Sequence, residues 1–219
     1  MGQLGAGAPI CRCLIFNVRC ATIILQLPEA ASFALAGGAA LLVHEVTDRG
    51  TNDIDCFGPS VAAVDTLAPA AIEALRAAGL DVDVVVLASG FAKLVVVDVS
   101  ERTQVDLGFD PATNAAVLTS VGPVRSLADL AGDKLLALFA RAASRDFVDV
   151  SALLERFSRE DMLRLAVAKD RGFSPEVLAD AFRVLPTYDR VDEFPSLSDD
   201  AYARLLAMFA AWEDELRSS

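Results

Sequence analysis

The spacing of apolar residues changes once along the chain. Up to about residue 124 apolar positions come in short runs and alternations closed by turn residues; from Ser126 onward they recur about every 3.6 residues. In the first regime the Ala- and Leu-rich text over 29–46, carrying Gly37-Gly38, reads as a helix. Residues 52–57 read as a short strand closed by Gly58-Pro59. Residues 61–79 are helical by their Ala, Leu and Ile spacing, with Pro69 breaking the helix or starting its second part and Gly79 as its stop. Three strands follow in a meander, 82–87, 93–99 and 103–109, joined by Ser89-Gly90 and Ser100-Glu101-Arg102. In the second regime helices are predicted at 127–141, 146–157, 159–169, 175–185 and 198–216. The apolar positions of the last one (Tyr202, Leu205, Leu206, Phe209, Trp212) recur at helical spacing and read as core. The organisation predicted is a lead-in over 1–29, an α/β core over 30–122 and a helical part over 123–219, with a seam at Val121-Gly122-Pro123.

The lead-in holds three of the four cysteines, Cys11, Cys13 and Cys20. Arg12 and Arg19 interrupt it, and no small-residue cleavage site follows its apolar run, which argues against a secretory signal. Cys11-x-Cys13 lacks zinc-site spacing, and the chain has one histidine, His44, read as structural. The segment is expected to be a strand or loose lead-in packed on the core, with reduced thiols and hence a cytoplasmic protein.

With 219 residues, 54% hydrophobic and 23% charged, the chain has ample material for a core. No apolar stretch reaches the ~18 residues a membrane span needs, so no membrane partner is expected. The net charge of −12 argues against a surface that coats nucleic acid or an anionic membrane as a whole. Residues 125–171 are the exception, with nine basic side chains against eight acidic ones. This segment, including Arg125 and Arg164, is the one plausible anion-facing surface.

Candidate chemistry starts with Gly37-Gly38 and Arg49-x-Thr51-x-Asp53-x-Asp55. Residues two apart on a strand point to one face, so Asp53 and Asp55 present paired carboxylates. Two such charges are costly side by side unless a cation lies between them or one stays protonated. Oxygen-only ligands of this kind suit Mg²⁺, with Mn²⁺ as a substitute, completed by substrate phosphates. A Gly-Gly at a helix start lets backbone N–H groups approach a phosphate. Together these imply phosphoryl or nucleotidyl transfer. Asp106 lies in an apolar strand where a lone acid is expensive to bury. Beside residues 52–57 it would complete a three-carboxylate metal cluster. Taken singly, each Asp is more commonly a turn or strand-edge residue.

A second group comprises Lys134, Arg141, Arg145, Asp146 and Asp149. If one helix runs through Ser144, Arg141 and Arg145 fall within about 20° of Lys134 on its wheel, and Asp149 within about 60°. That makes a cationic stripe: Lys134 for a triphosphate, the arginines as bidentate phosphate clamps, and Asp149 as an anchor for Lys134 or an arginine, or as a base. The plainer reading is an exposed Arg145–Asp149 pair on a solvated face. Lys93, on a meander strand, is left out of the site.

These residues together resemble the AbiEii-type nucleotidyltransferases, the family that includes the MenT toxins of toxin–antitoxin pairs. The matching text is Ala36-Gly37-Gly38-Ala39-Ala40-Leu41, Arg49-Gly50-Thr51-Asn52-Asp53-Ile54-Asp55 and Val105-Asp106-Leu107, then Lys134-Leu135-Leu136-Ala137-Leu138, Arg141 and Arg145-Asp146-Phe147-Val148-Asp149. The Gly-Gly and Asp-x-Asp elements are shared with the wider polymerase-β-like superfamily; the Lys…Arg…Arg-Asp-x-x-Asp stretch narrows the likeness. The resemblance implies an α+β fold, with a polymerase-β-like mixed sheet and helices followed by a C-terminal helical bundle. It implies metal-dependent transfer of a nucleoside monophosphate, with a pyrimidine donor such as CTP favoured, to the 3′ end of tRNA, and a cognate antitoxin as partner. It assigns Thr51 to the hydroxyl residue before the first metal Asp, Asp53 and Asp55 to the metal carboxylates, Lys134 to the catalytic lysine and Asp149 to the closing acid. Arg49 joins the nucleotide-binding set with Gly37, Gly38, Arg141 and Arg145, and a phosphate on Thr51 becomes one route of inhibition. Two other readings use the same fold: transfer to a small molecule or protein, and a catalytically silent binding partner.

Overall fold

A computed structural model describes residues 12–218, which divide into two compact units. The first comprises Met1–Val43 and Gly50–Arg125, the second His44–Arg49 and Ser126–Ser219. Cys11 lies outside the described residues, so the reading of Cys11-x-Cys13 does too.

The first unit opens with a helix, α1 (Arg12–Leu25), where the sequence predicts a strand or loose lead-in. Phe16, Cys20, Ala21, Ile24 and Leu25 are buried at helical spacing, while Arg19 lies off that stripe and pairs with Asp98 at 2.7 Å. A short strand, β1 (Ala34–Ala36), and a seven-residue helix, α2 (Gly37–Val43), replace the long helix expected over 29–46. Gly37 has φ +62°, a left-handed conformation that separates strand from helix. Ala34–Ala36 are claimed by pairing on both sides, which overrides the helix propensity of alanine.

The rest of this unit comprises β2 (Asp53–Gly58), α3 (Val61–Ala77), the meander β3 (Asp81–Ala88), β4 (Phe91–Asp98) and β5 (Glu101–Phe109), and the two-residue strands β6 (Val117–Leu118) and β7 (Pro123–Val124). Ser60 caps α3 by accepting the Ala63 N–H. Pro69 does not break that helix; it sits on the exposed face, away from the buried stripe of Val64, Leu67, Ala68, Ala71, Ile72 and Leu75. The seven strands form one mixed sheet in the order β3-β4-β5-β2-β1-β7-β6, with β2 parallel to β5 and β1 parallel to β7.

Alternation gives the central strands two different faces. Ile54, Cys56, Leu94, Val96, Val105 and Leu107 are fully buried on one, and α1 and α3 pack on the sheet. Each such aliphatic side chain contributes about 1.5–3 kcal/mol relative to exposure. Asp53, Asp55, Lys93, Gln104 and Asp106 fall on the other face and are only half-buried. Register sets their neighbours: Asp53 lies across from Gln104, Asp55 from Asp106, and Lys93 from Asp106.

The second unit contains α4 (Leu127–Arg141), α5 (Ser144–Leu153), α6 (Arg159–Lys169), α7 (Pro175–Phe182), α8 (Arg190–Glu193) and α9 (Asp199–Ser218). An aromatic cluster fills its core: Phe209 lies edge-on to Phe147 and Phe182, ring centroids 5.0 Å apart in each case, and Trp212 is fully buried beside them. The single helix through Ser144 is not formed. Ala142 adopts φ +46° at the end of α4, its carbonyl accepts the Tyr188 hydroxyl at 2.8 Å, and α5 starts afresh at Ser144. The first turn of α5 is fixed by Asp146, which accepts the Ala143 N–H and a two-pronged bond from Arg141.

Candidate active site

In the first unit each acid has its own neighbours. Asp55 stands directly over Gly37; a Cβ built on that glycine would overlap the carboxylate. The Thr51 hydroxyl donates to Asp53 Oδ1, and the Thr51 carbonyl accepts Asn17 Nδ2 from α1 at 2.8 Å. Thr51 and Asn17 are themselves buried, so the approach to Asp53 is set by packing. Asp106 is engaged by Lys93 Nζ at 3.5 Å and by Gln104 Nε2 at 3.1 Å, both on its Oδ2. Its other oxygen, Oδ1, is buried and has no hydrogen-bond partner among the described residues. Burial pushes the Asp106 carboxyl up, Lys93 opposes that, and the charge of Asp53 adds to it.

A divalent cation fits this arrangement. Asp53 and Asp55 supply hard oxygen donors on one face, and the orphaned Oδ1 of Asp106 is the kind of buried acceptor a cation satisfies. The expected three-carboxylate cluster is not assembled: among the described residues no three His, Cys, Asp or Glu side chains come together in a group that could hold a metal ion. Two carboxylates with positions left for water and phosphate are the usual Mg²⁺ arrangement.

In the second unit Asp149 is the hub. Its carboxylate takes two bonds from Arg49, Nε to Oδ1 at 2.6 Å and Nη2 to Oδ2 at 2.7 Å, and a third from Lys134 Nζ to Oδ2 at 2.8 Å. Asp149 is fully buried and Lys134 nearly so. Burial alone would raise the Asp149 carboxyl, but the Arg49 bonds together with the charges of Lys134 and Arg49 hold it below the ordinary carboxylate value. Held as its anion between Arg49 and Lys134, Asp149 makes the anchoring contacts expected of it. Lys134 and Asp149 therefore meet although the stripe drawn on one helix does not exist.

The remaining cations separate by environment. Arg145 is exposed and takes no part in this network; the Arg145–Asp149 surface pair is not formed. Arg141 is engaged with Asp146. Arg125 is buried in the first unit, 2.6 Å from Asp110 Oδ2 and over the ring of Phe57, so it is not part of an anion-facing surface. Arg164 pairs with Asp161 three residues earlier. Sequence reasoning missed Asn17, Lys93 and Gln104 as neighbours of the acids. A buried asparagine in the apolar stripe of α1 was the one available signal.

Residues 21–215 match the family described as "Nucleotidyl transferase AbiEii toxin, Type IV TA system". No curated protein matches the chain. Among solved structures, MenT4, a nucleotidyltransferase toxin from Mycobacterium tuberculosis, is similar with a TM-score of 0.62 and 17% identity, over 91% of this chain and 83% of that one. JHP933 from Helicobacter pylori is similar with a TM-score of 0.58 and 16% identity, over 93% of this chain and 92% of that one. A putative nucleotidyltransferase from H. pylori has a TM-score of 0.56 and 15% identity, over 94% and 95% of the two chains. At these identities the structural likenesses establish the fold, an α+β nucleotidyltransferase architecture.

Proposed function

Because the chain belongs to the AbiEii family of nucleotidyltransferase toxins, we propose that it transfers a nucleoside monophosphate from an NTP to the 3′ end of tRNA and so halts translation. The donor is a pyrimidine nucleotide such as CTP, the site of action is the cytoplasm, and a cognate antitoxin restrains it. Among the described residues no helix is long and apolar enough to cross a membrane. The observation that carries the reading is the pair Asp53 and Asp55 on β2, with Asp55 packed against the Gly37 backbone.

The reaction is a displacement at the α-phosphorus. The terminal ribose 3′-oxygen bonds to phosphorus, the bond to the bridging oxygen breaks, pyrophosphate leaves with the electron pair, and the hydroxyl proton passes to water. A Mg²⁺ or Mn²⁺ ion would be held by Asp53 and Asp55, with Asp106 beside them, and would supply charge neutralisation and orientation of the phosphates. Gly37 and Gly38 allow phosphate oxygens close to the backbone, and Thr51 fixes the rotamer of Asp53. Lys134 stabilises negative charge on the triphosphate, and Asp149, itself gripped by Arg49, keeps the ammonium aimed. Arg145 is free to meet phosphate; Arg141 contributes while holding Asp146. Phosphorylation of Thr51 adds about two negative charges beside Asp53 and blocks NTP binding.

The test is acceptor identity. The protein is incubated with Mg²⁺ and each α-labelled NTP, with total tRNA or with protein extract. Label on the 3′ end of tRNA, abolished by chelation, is expected. Label in protein and none in tRNA overturns the proposal.

A further inference from the structure

Next to the start of β2 lies a cavity of about 400 Å³ lined by Asn52, Val95, Arg102, Thr103 and Gln104. That volume is in the range of small-molecule sites, roughly 300–1,000 Å³. Two of its lining residues are immediate neighbours of the acids. Asn52 precedes Asp53 in the chain, and Gln104 lies across from Asp53 in the β2–β5 ladder while bonding Asp106. The edge is held firm, since the Asn52 carbonyl accepts both the Gln104 N–H at 3.1 Å and the Thr103 hydroxyl at 3.3 Å.

The chemistry of the lining is selective. It combines one guanidinium, two carboxamides, one hydroxyl and one valine, with no carboxylate. Arg102 is exposed and makes no ion pair among the described residues, whereas Arg19, Arg49, Arg125, Arg141 and Arg159 each grip an acid. A guanidinium without a carboxylate is suited to phosphate. Carboxamides suit the donor–acceptor edges of a base.

Sheet order says which nucleotide enters. β2 is flanked by β1 on one side and β5 on the other. Gly37, which follows β1, touches Asp55 from the first side, and the cavity opens on the second. A displacement at phosphorus is in line, so attacking and leaving oxygens lie on opposite sides of it. With the donor phosphates against Gly37, the nucleophile arrives from the β5 side. Resting on the nucleotidyl-transfer reading above, we propose that this cavity holds the terminal nucleotide of the RNA acceptor, with Arg102 paired to its 5′-phosphate and its 3′-hydroxyl directed at the acids. Arg102, Asn52 and Gln104 thus determine which acceptor end is used.

The test uses the full chain and two probes: a 5′-fluorescein RNA hairpin with a single-stranded 3′ end, and a non-hydrolysable NTP analogue. Arg102→Glu is expected to weaken RNA binding by about tenfold or more and to lower its salt dependence by about one phosphate contact. NTP binding stays at the wild-type value, and Arg102→Lys, which keeps the charge, loses far less. Unchanged RNA binding in Arg102→Glu overturns the proposal, as does an equal loss of NTP binding, which would give the cavity to the donor. Arg102-dependent RNA binding by a wild-type protein that transfers no label supports the cavity and overturns the transfer reading. Label transfer with RNA binding indifferent to Arg102 does the reverse.

Discussion

The carboxylate of Asp55 occupies the space where a side chain on Gly37 would begin. The glycine is required for this before any ligand is considered, and it is required a second time by its left-handed backbone. One residue thus sets both the entry to α2 and the position of the Asp55 carboxylate. Gly37→Ala should carry about 1–2 kcal/mol of backbone strain and displace Asp55. Displacement of a reacting group by about 1 Å costs on the order of 100-fold. Label transfer should fall by that factor while far-UV circular dichroism is retained; turnover near wild type would remove Asp55 from the site.

Asp149 binds both Lys134 and, 100 residues away in sequence, Arg49. Asp149→Asn leaves a buried ammonium and a guanidinium without their anion, which should destabilise the protein by about 3–5 kcal/mol. Lys134→Ala leaves the Arg49 bonds in place, so its effect on stability should be nearer 1–3 kcal/mol, roughly that of a charged hydrogen bond, while transfer is abolished. Urea unfolding of the two variants checks the order. Equal midpoints for Asp149→Asn and wild type would show that the network carries no stability.

The same carboxylate gives a signed pH dependence. Its folded-state pKa is depressed, so between the folded and unfolded values the unfolded chain binds more protons. Its contribution to stability is complete above the unfolded value of about 3.9 and is lost as pH falls through the folded value. Wild type should lose stability below about pH 4 more steeply than Asp149→Asn. Parallel profiles of urea midpoint against pH would contradict this.

Burial raises the thiol of Cys20 to about 12, with Arg19 opposing and Asp98 adding; Cys56 is raised too, by burial and by Asp55. Both should resist iodoacetamide in the native protein and react once it is unfolded, as read by peptide mass mapping. Native labelling of Cys20 would mean that α1 does not dock on the face described.

How far the sequence could be read depended on how local each interaction is. The meander and the helices α4 and α6 follow from spacing alone. β1 does not, because Ala34–Ala36 has no alternation and its partners lie at residues 55–57 and 124. α1 was obscured by Arg12 and Arg19, which break the apolar text; Arg19 lies off the buried stripe. The contact of Lys134 with Asp149 was expected from a wheel that assumed one helix, yet it arises from two helices separated at Ala142. The Arg49–Asp149 and Asn17–Thr51 bonds span long stretches of chain, and no periodicity reports them.

The most direct test is single-turnover transfer from α-labelled CTP to tRNA by Asp53→Asn and Asp55→Asn, each checked for an unchanged thermal melt. Each variant should lose about 10²–10³-fold or more, the scale expected when one element of transition-state charge stabilisation is removed. Two folded variants that transfer within a few-fold of wild type would contradict the assignment of this carboxylate pair as the reaction centre.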